Sequence, residues 1–571
     1  MVKSCTPISL NQTCTPNNIE IQRLIQQILK INLNPNITTL MKKTVLPFFL
    51  FYLGVALAQE PTITWQKSLG GTGEDSATKV IQTSDGGYLA VGATKSNDYD
   101  VTGNHLYTDE EGNQSNTWDG WVVKFNAAGE IEWKRTYGGS SYDTLKSVVQ
   151  GNDSFYYVLG ETTSTDGDAN LSYDDSVAGA AWCLKLTPTG DVVWSKTLTA
   201  SFLNLEPAWG AQDLMLNDTG DLFLAVSGYM YVNGGLSYTD GLIVRMNQNG
   251  QILSKTALGY GYHDKFEAIA PTSGGGAIAV GNTTINYFAD PTMGFDYWIA
   301  KLDSNGNFLW DKIYGGSADD LATDVKQTPD GGFIVCGYTS SNDLDVTGNH
   351  FSEVQNGYLS DYWIVKLDSS GNIEWQKCYG STGNDEAHSI LIDSDGNYVV
   401  AGYSSVEDGD VSETNGTWDV WILKINQQGD ILWEKNYGGG WYDLASSLVK
   451  TTDNGYIVAG ETYSTDGDVS TNIPEPYANF WIVKLSADTL NSAESIKNSL
   501  QIIPNPTTEY LYIENGTETS SKATIFDLTG KKLSEIENSA NQIDVRHLSN
   551  GMYILTLESK GKTQTFKFVK E

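Results

Sequence analysis

Residues 322–339 read ATDVKQTPDGGFIVCGYT and residues 361–380 read DYWIVKLDSSGNIEWQKCYG, with a long polar loop between them. Each stretch holds two short runs rich in β-branched and aromatic residues, joined by PDGG in one and SSGN in the other. Such runs bounded by turn residues read as strands, so the unit is a four-stranded antiparallel meander. The Asp-Gly and Asn-Gly pairs at Asp85-Gly86, Asp330-Gly331, Asp395-Gly396 and Asn454-Gly455 predict tight hairpins with both turn residues at positive φ.

The unit recurs seven times between Trp65 and Leu485. Its anchor is the Trp closing a GxIxW segment, at Trp65, Trp133, Trp194, Trp310, Trp375 and Trp433, with Ser254 in the equivalent place of GQILSK. Successive anchors lie 56 to 68 residues apart. A four-stranded sheet this small cannot bury both faces alone, whereas stacking between like neighbours in a closed ring hides them. The expected fold is therefore all-β, a seven-bladed β-propeller of four-stranded antiparallel blades followed by a small C-terminal β-sandwich. The last unit has three strands and ends at FWIVKL, while TITWQKSLGG at the start is an orphan fourth strand, so Thr62–Leu69 should complete the last blade.

The chain has 571 residues, with 70 acidic against 35 basic side chains and a formal charge of -35. That surface repels phosphate backbones and anionic lipid, which argues against nucleic acid as a partner. Of five Cys, Cys183, Cys336 and Cys378 fall in apolar strand-like runs and read as buried small hydrophobes rather than a disulfide framework. No Cys or His spacing fits a zinc site.

Two regularities are expected to serve the ring. An Asp follows the YGG-type turn at Asp75, Asp143, Asp264, Asp320, Asp385 and Asp443, placed to accept hydrogen bonds from turn amides at a blade junction; the third unit lacks it. A basic residue stands in every third strand, at Lys124, Lys185, Arg245, Lys301, Lys366, Lys424 and Lys484, either paired with those acids or solvated at an edge. Residues 62–485 resemble bacterial β-propeller repeats of exported and surface proteins, with the pattern W…YGG…D…V……GGY.V.G.T. The resemblance implies the propeller and leaves function open.

At the N-terminal side, Met41–Glu60 reads MKKTVLPFFLFYLGVALAQE, with Lys42 and Lys43 before an apolar run and Ala56-Leu57-Ala58 as a cleavage pattern. It reads as a signal peptide over 41–58, cut between Ala58 and Gln59, and its apolar run falls short of a spanning helix. Residues 1–40 then read as a mis-annotated extension, the propeller as 59–485, and the mature chain as having no transmembrane segment.

Residues 486–500 form a polar linker. Residues 501–571 carry nine acidic and eight basic side chains and several short strand-like runs, consistent with a small β-sandwich. The motifs IIPNPTTEYLYIE (502–514), IFDLTGKKL (525–533), IDVRHLSNGMYILTL (543–557) and FKFVK (566–570) resemble, in order, the type A C-terminal sorting domain of the bacterial type IX (Por) secretion system. The resemblance implies engagement of that machinery through 501–571, with the protein released or attached to the outer cell surface.

In a meander the second-to-third-strand loops and the blade crossings emerge on one face, and this is where function is expected. Five of these loops carry D-x-D-x-[STN], at Asp98, Asp100 and Thr102; Asp166, Asp168 and Asn170; Asp343, Asp345 and Thr347; Asp408 and Asp410; and Asp466 and Asp468. Alternate oxygens suit calcium, with Gly103 and Gly348 at the sixth position and Asp109 at the twelfth of the first loop; solvated turns use the same residue types. Loop aromatics Tyr99, Tyr107, Trp118, Tyr358 and Trp418 suit the apolar faces of sugars, and their bland reading is loop packing. No serine elbow, phosphate loop or His-centred constellation appears. The expected function is a non-enzymatic surface binding or adhesion module for a glycan or a surface protein. The alternatives are a polysaccharide hydrolase or lyase and a structural surface-layer component.

Overall fold

The computed structural model describes residues 60–109, 111–169, 179–198, 208–232, 236–260, 263–284, 294–350, 359–471, 477–488, 501–503, 507–514, 522–527, 531–537, 542–559 and 562–570. The signal segment with Ala58 and Gln59, and Asn170 and Tyr358, lie outside them. Among these residues every regular element is a strand, and no helix is long and apolar enough to cross a membrane.

Seven four-stranded antiparallel sheets form the blades. The inner strands are Asp75–Gln82, Asp143–Gln150, Ala208–Leu216, Lys265–Pro271, Asp320–Gln327, Glu386–Ile392 and Asp443–Lys450. Each packs on the inner strand of the next blade, and the seventh returns to the first, so the sheets close a ring. The expected clasp is present: Ile63–Leu69 is the outer strand of the last blade, pairing from Ile63↔Leu485 to Leu69↔Phe480. Beside it the Tyr437 hydroxyl donates to the Pro61 carbonyl at 2.6 Å, and Ser486 N–H to the Thr62 carbonyl at 2.8 Å.

Blade-to-blade packing follows from the repeat. Trp121, Trp182, Trp298, Trp363, Trp421 and Trp481 of the third strands are fully buried between sheets. The GxIxW tryptophans dock on the next blade's turn: Trp133 donates its ring N–H to the Pro188 carbonyl (3.1 Å), Trp194 to Gln248 (3.2 Å) and Trp375 to Gln427 (3.1 Å). Ser254 takes over this bond where Trp is missing, its hydroxyl donating to the Asn305 carbonyl at 2.7 Å. Cys183, Cys336 and Cys378 are buried free thiols.

Two expectations need correction. In the tight turns only one residue is left-handed: Gly86 (φ 83°), Gly331 (86°) and Gly396 (81°), or Asn454 (64°) in place of its Gly. Thr83 N–H bonds the Gly87 carbonyl and Gly86 N–H the Thr83 carbonyl, a turn one residue wider than a two-residue hairpin, so Asp85 keeps an ordinary φ. The third-strand bases, moreover, neither pair with the repeated Asp residues nor sit at a solvated edge, because those Asp lie at the opposite end of the blade. Lys124 is buried and binds Asp85 (3.0 Å) and Glu132 (2.9 Å), and Lys366 binds Asp330 (3.0 Å) and Glu374 (2.8 Å). Lys185 pairs with Asp153, Arg245 with Asp221 and Lys484 with Asp453. Lys424 joins Asp393, Asp395 and Asp488, and Lys301 lies over the Trp310 and Phe333 rings.

The C-terminal residues form a three-stranded sheet (Gln501–Ile503, Tyr510–Glu514, Gln542–Asp544) and a four-stranded sheet (Lys532–Glu537, Lys522–Asp527, Gly551–Ser559, Lys562–Lys570). Leu511 and Ile543 of the first share one core with Ala523, Ile525, Leu555 and Phe568 of the second, which makes a sandwich.

Deleting Thr62–Leu69 unzips the last blade and exposes the apolar flanks it shares with the first. The expected outcome is a fall in melting temperature of more than about 10 °C; an unchanged thermal melt would show that the ring does not depend on this strand.

Candidate functional site: the long-loop face

The repeated Asp residues knit each blade crossing to its own blade. Asp75 is fully buried and accepts hydrogen bonds from the Thr94 hydroxyl, the Ser96 hydroxyl (2.7 Å) and Gly71 N–H (2.8 Å). Asp143, Asp320 and Asp443 repeat the arrangement with Ser164, Ser341 and Ser464, Asp385 accepts from Ser381, and Asp264 accepts from Thr283. A second set of acids, which the sequence reading missed, stands on the third strands: Asp119, Asp296, Asp361 and Asp419 open theirs, and Asp240 lies within the longer strand Leu236–Met246. The two sets meet at the first Gly of the crossing, where a Cβ on Gly380 would lie 2.7 Å from Asp385 Oδ2 and 2.9 Å from Asp361 Oδ1. Only glycine admits that approach.

These carboxyls are held away from their ordinary range. Burial pushes Asp75, Asp240, Asp320, Asp385 and Asp443 up to about 6, and Asp119 and Asp296 up to about 7, outweighing the hydrogen bonds that favour the anion. In Asp119, Asp361 and Asp419 one buried oxygen has no donor, which suits a protonated carboxyl. In blades 1 and 5 the other oxygen is taken by a histidine, His105 Nδ1 at 2.7 Å from Asp119 and His350 Nδ1 at 2.6 Å from Asp361.

The D-x-D loops are clasps for the same crossings. The first Asp accepts from a backbone N–H of the YGG-type turn: Asp98 from Thr72 (2.8 Å), Asp166 from Ser140 (2.7 Å), Asp343 from Ser317 (2.8 Å), Asp408 from Thr382 (2.7 Å) and Asp466 from Gly440 (2.7 Å). The second Asp donates its own N–H back to the turn, as Asp100 to Gly70, Asp168 to Gly138, Asp345 to Gly315, Asp410 to Gly380 and Asp468 to Gly438. The residue between them is left-handed: Gly167, Gly409 and Gly467 in three blades, Tyr99 and Leu344 in the others. Thr102 is exposed, Thr347 accepts from Gln376, and Asp109 caps its own turn through Glu111 and Asn113 N–H. The first Asp of each loop is thus engaged by a turn amide, and among the described residues no group of three or more Asp, Glu, His or Cys is arranged to hold a metal.

The ring axis is crossed by an ionic cluster that the sequence did not reveal. Each inner strand carries a β-bulge, and the residue after it points to the centre. There Lys79 of blade 1 binds Asp213 of blade 3 at 3.3 Å, while Asp213 also accepts from Ser147 (2.5 Å) and from Ile269 N–H (3.2 Å). Asp324 accepts from Ile390 N–H at 3.0 Å, Ser389 from Leu448 N–H at 3.2 Å and Ser447 from Val80 N–H at 3.4 Å, carrying the contact round the ring. Desolvation works against the Lys79 ammonium, but Asp213 and Asp324 outweigh it and raise its pKa.

Every exposed Tyr or Trp of the described propeller lies on the long-loop face: Tyr99, Tyr107, Tyr142, Tyr260, Trp441, Tyr442 and Tyr477. Trp118 and Trp418 are half-buried there. On blades 6 and 7 the rings form a run from His388 through Tyr403, Trp418 and Tyr442 to Tyr463, with successive centroids 5.8, 4.9, 5.1 and 6.1 Å apart.

Residues 501–571 match the secretion system C-terminal sorting domain family. The protein is a type IX secretion substrate, bound for the cell surface or the medium. Over 176 residues the chain is 24% identical to the regulatory protein FlaEY of Caulobacter vibrioides, covering 30% of this chain and 18% of that protein. Among solved structures, a protein of unknown function from Dyadobacter fermentans is 12% identical, over 75% of this chain and 99% of that one, with a TM-score of 0.37. PorZ, a surface component of the type IX secretion system of Porphyromonas gingivalis, is 11% identical over 91% and 87%, with a TM-score of 0.25.

The secreted ring should be most stable in mild acid. The folded junction carboxyls titrate near 6 to 7, above the 3.8 of the unfolded chain, so stability falls as pH rises through that window. Asp330, held down to about 2 by the Thr328 hydroxyl and Lys366, loses its contribution below about pH 4. Melting temperature should peak near pH 4, where the two windows meet, and fall from there to pH 7; a rise from pH 4 to 7 would contradict the buried-acid account. Chelator or added calcium should leave the melt unmoved, and a calcium-dependent shift would show that the clasps rearrange around an ion.

Proposed function

We propose that the exported propeller is a non-catalytic glycan-binding module that uses its long-loop face. The carrying observation is the gathering of all the exposed Tyr and Trp side chains of the described propeller on that one face. Rings with an apolar face and polar edge, set among acidic and amide groups, suit the alternating faces of a sugar. Loops positioned by a rigid ring are a common place for recognition. The repeated acids support binding over turnover, since they occupy near-equivalent buried sites, whereas acid–base catalysis needs two dissimilar carboxyls. The -35 charge disfavours anionic polysaccharides.

A glycan array with the exported protein, beside a reducing-end assay on the same polysaccharides, tests this. Binding to neutral or amine-bearing glycans without product is expected. Product formation would replace the module with a hydrolase or lyase, and no glycan binding at all would remove the reading.

A further inference from the structure

The seven-fold repeat supplies an internal control for every junction position. The residue two before the repeated Asp is Gly73, Ser141, Ala318 or Gly383 at four crossings, Tyr262 at the crossing into blade 4 and Trp441 at the crossing into blade 7; the following position is Glu74, Tyr142, His263, Asp319, Asn384 and Tyr442 in turn, so only here do a Trp and a Tyr stand side by side. Small residues build the same turn at four crossings, so the fold does not require Trp441, which is 52% exposed. Nor is the segment loose. Trp441 N–H bonds the Ser464 hydroxyl (2.9 Å), Tyr463 N–H the Tyr442 carbonyl (2.8 Å) and Asp443 N–H the Trp418 carbonyl (2.8 Å), while Tyr442 bridges Trp418 as an isolated parallel pair. The Tyr442 ring stands edge-on to Trp418, which stacks on Tyr403 at 9°. The two exposed aromatics therefore sit on a braced platform whose geometry is set before any ligand arrives.

The far end of the ring run is acidic. Tyr463 hydrogen-bonds Glu74 of blade 1, which also accepts from Ala478 N–H at 3.0 Å; Glu461 is the register partner of Phe480, two residues further on, and burial first and the neighbouring Glu74 second push its carboxyl up to about 7. Carboxylates held in one another's field favour a cation between them, and a ring beside a cation adds attraction of its own.

We infer that Trp441, Tyr442 and Tyr463, with Glu461 and Glu74 beside them, form a subsite for sugar rings bearing a free amine. The inference rests on the reading of this face as a glycan-binding surface and adds the ligand class. Sugar rings lie on Trp441 and Tyr442, and the ammonium reaches the two glutamates. An anionic sugar meets repulsion at the same place.

Calorimetric titration of the exported protein with glucosamine oligomers, their N-acetylated counterparts and an oligouronate tests the subsite. The amine-bearing oligomer should bind tightest. Trp441→Ser, which borrows the residue of a sister crossing and so leaves the fold intact, should weaken it about ten-fold. Glu461→Gln should abolish the preference for amine over N-acetyl, a loss of roughly five-fold, while leaving the acetylated oligomer unchanged. Equal binding of amine and N-acetyl forms by the native protein, or full affinity in the Trp441→Ser variant, overturns the subsite while glycan binding elsewhere on the face still stands. Absence of binding to every oligomer and to the wider array removes the parent reading instead.

Discussion

The structure depends on one pairing, that of Ile63–Leu69 with Asn479–Leu485, which joins segments about 420 residues apart. Closing a loop of that length costs only about 5 kcal/mol of chain entropy, since the cost grows with the logarithm of length. Without the closure two sheets would each present an apolar flank to water. With it, every blade has two neighbours and the ring has no end unit. The rest follows from circular packing: inner strands crowd at the axis, outer tryptophans reach forward to the next turn, and all blade crossings fall on the face that carries the long loops.

That crowding explains what sequence reading could and could not reach. The repeat, the orphan first strand and the Ser254 substitution were legible because they recur or visibly fail to recur along the chain. The partners of Lys124 and Lys366 were not, because alternation along a strand says which face a side chain takes but not which acid stands at that end of the blade. The Asp119 and Asp361 set was hidden in plain view, recurring just before GW and YW without a recognisable motif around it. The D-x-D spacing alone is compatible with calcium and with turns. Its actual partners are amide groups from the crossing tens of residues earlier, as Asp98 to Thr72 shows. Through-space partners of this kind carry no local signature.

The acidity of the chain has two physically separate parts. Surface acids set the field around an exported protein and need no compensation beyond water and counterions. The junction acids are buried, bonded to hydroxyls, amides and, at Asp119 and Asp361, a histidine ring, and raised toward neutrality by their surroundings. They act as hydrogen-bonding hubs in which serine, threonine and glycine neighbours are fixed by geometry, while crossing positions that make no bond to the carboxyl vary from blade to blade.

The axis restricts where recognition can occur. Lys79 reaches across blade 2 to Asp213 and feels Asp324 of blade 5, so the centre of the ring is filled by a charged bridge that several blades share. A ligand threaded along the axis would have to strip this cluster, leaving buried charges without partners at a cost of several kcal/mol. Recognition on the long-loop face has no such cost, because there the apolar rings are already exposed and already braced. The place to look for specificity is then wherever a crossing departs from its sisters without a packing reason, and Trp441 is the largest such departure on that face.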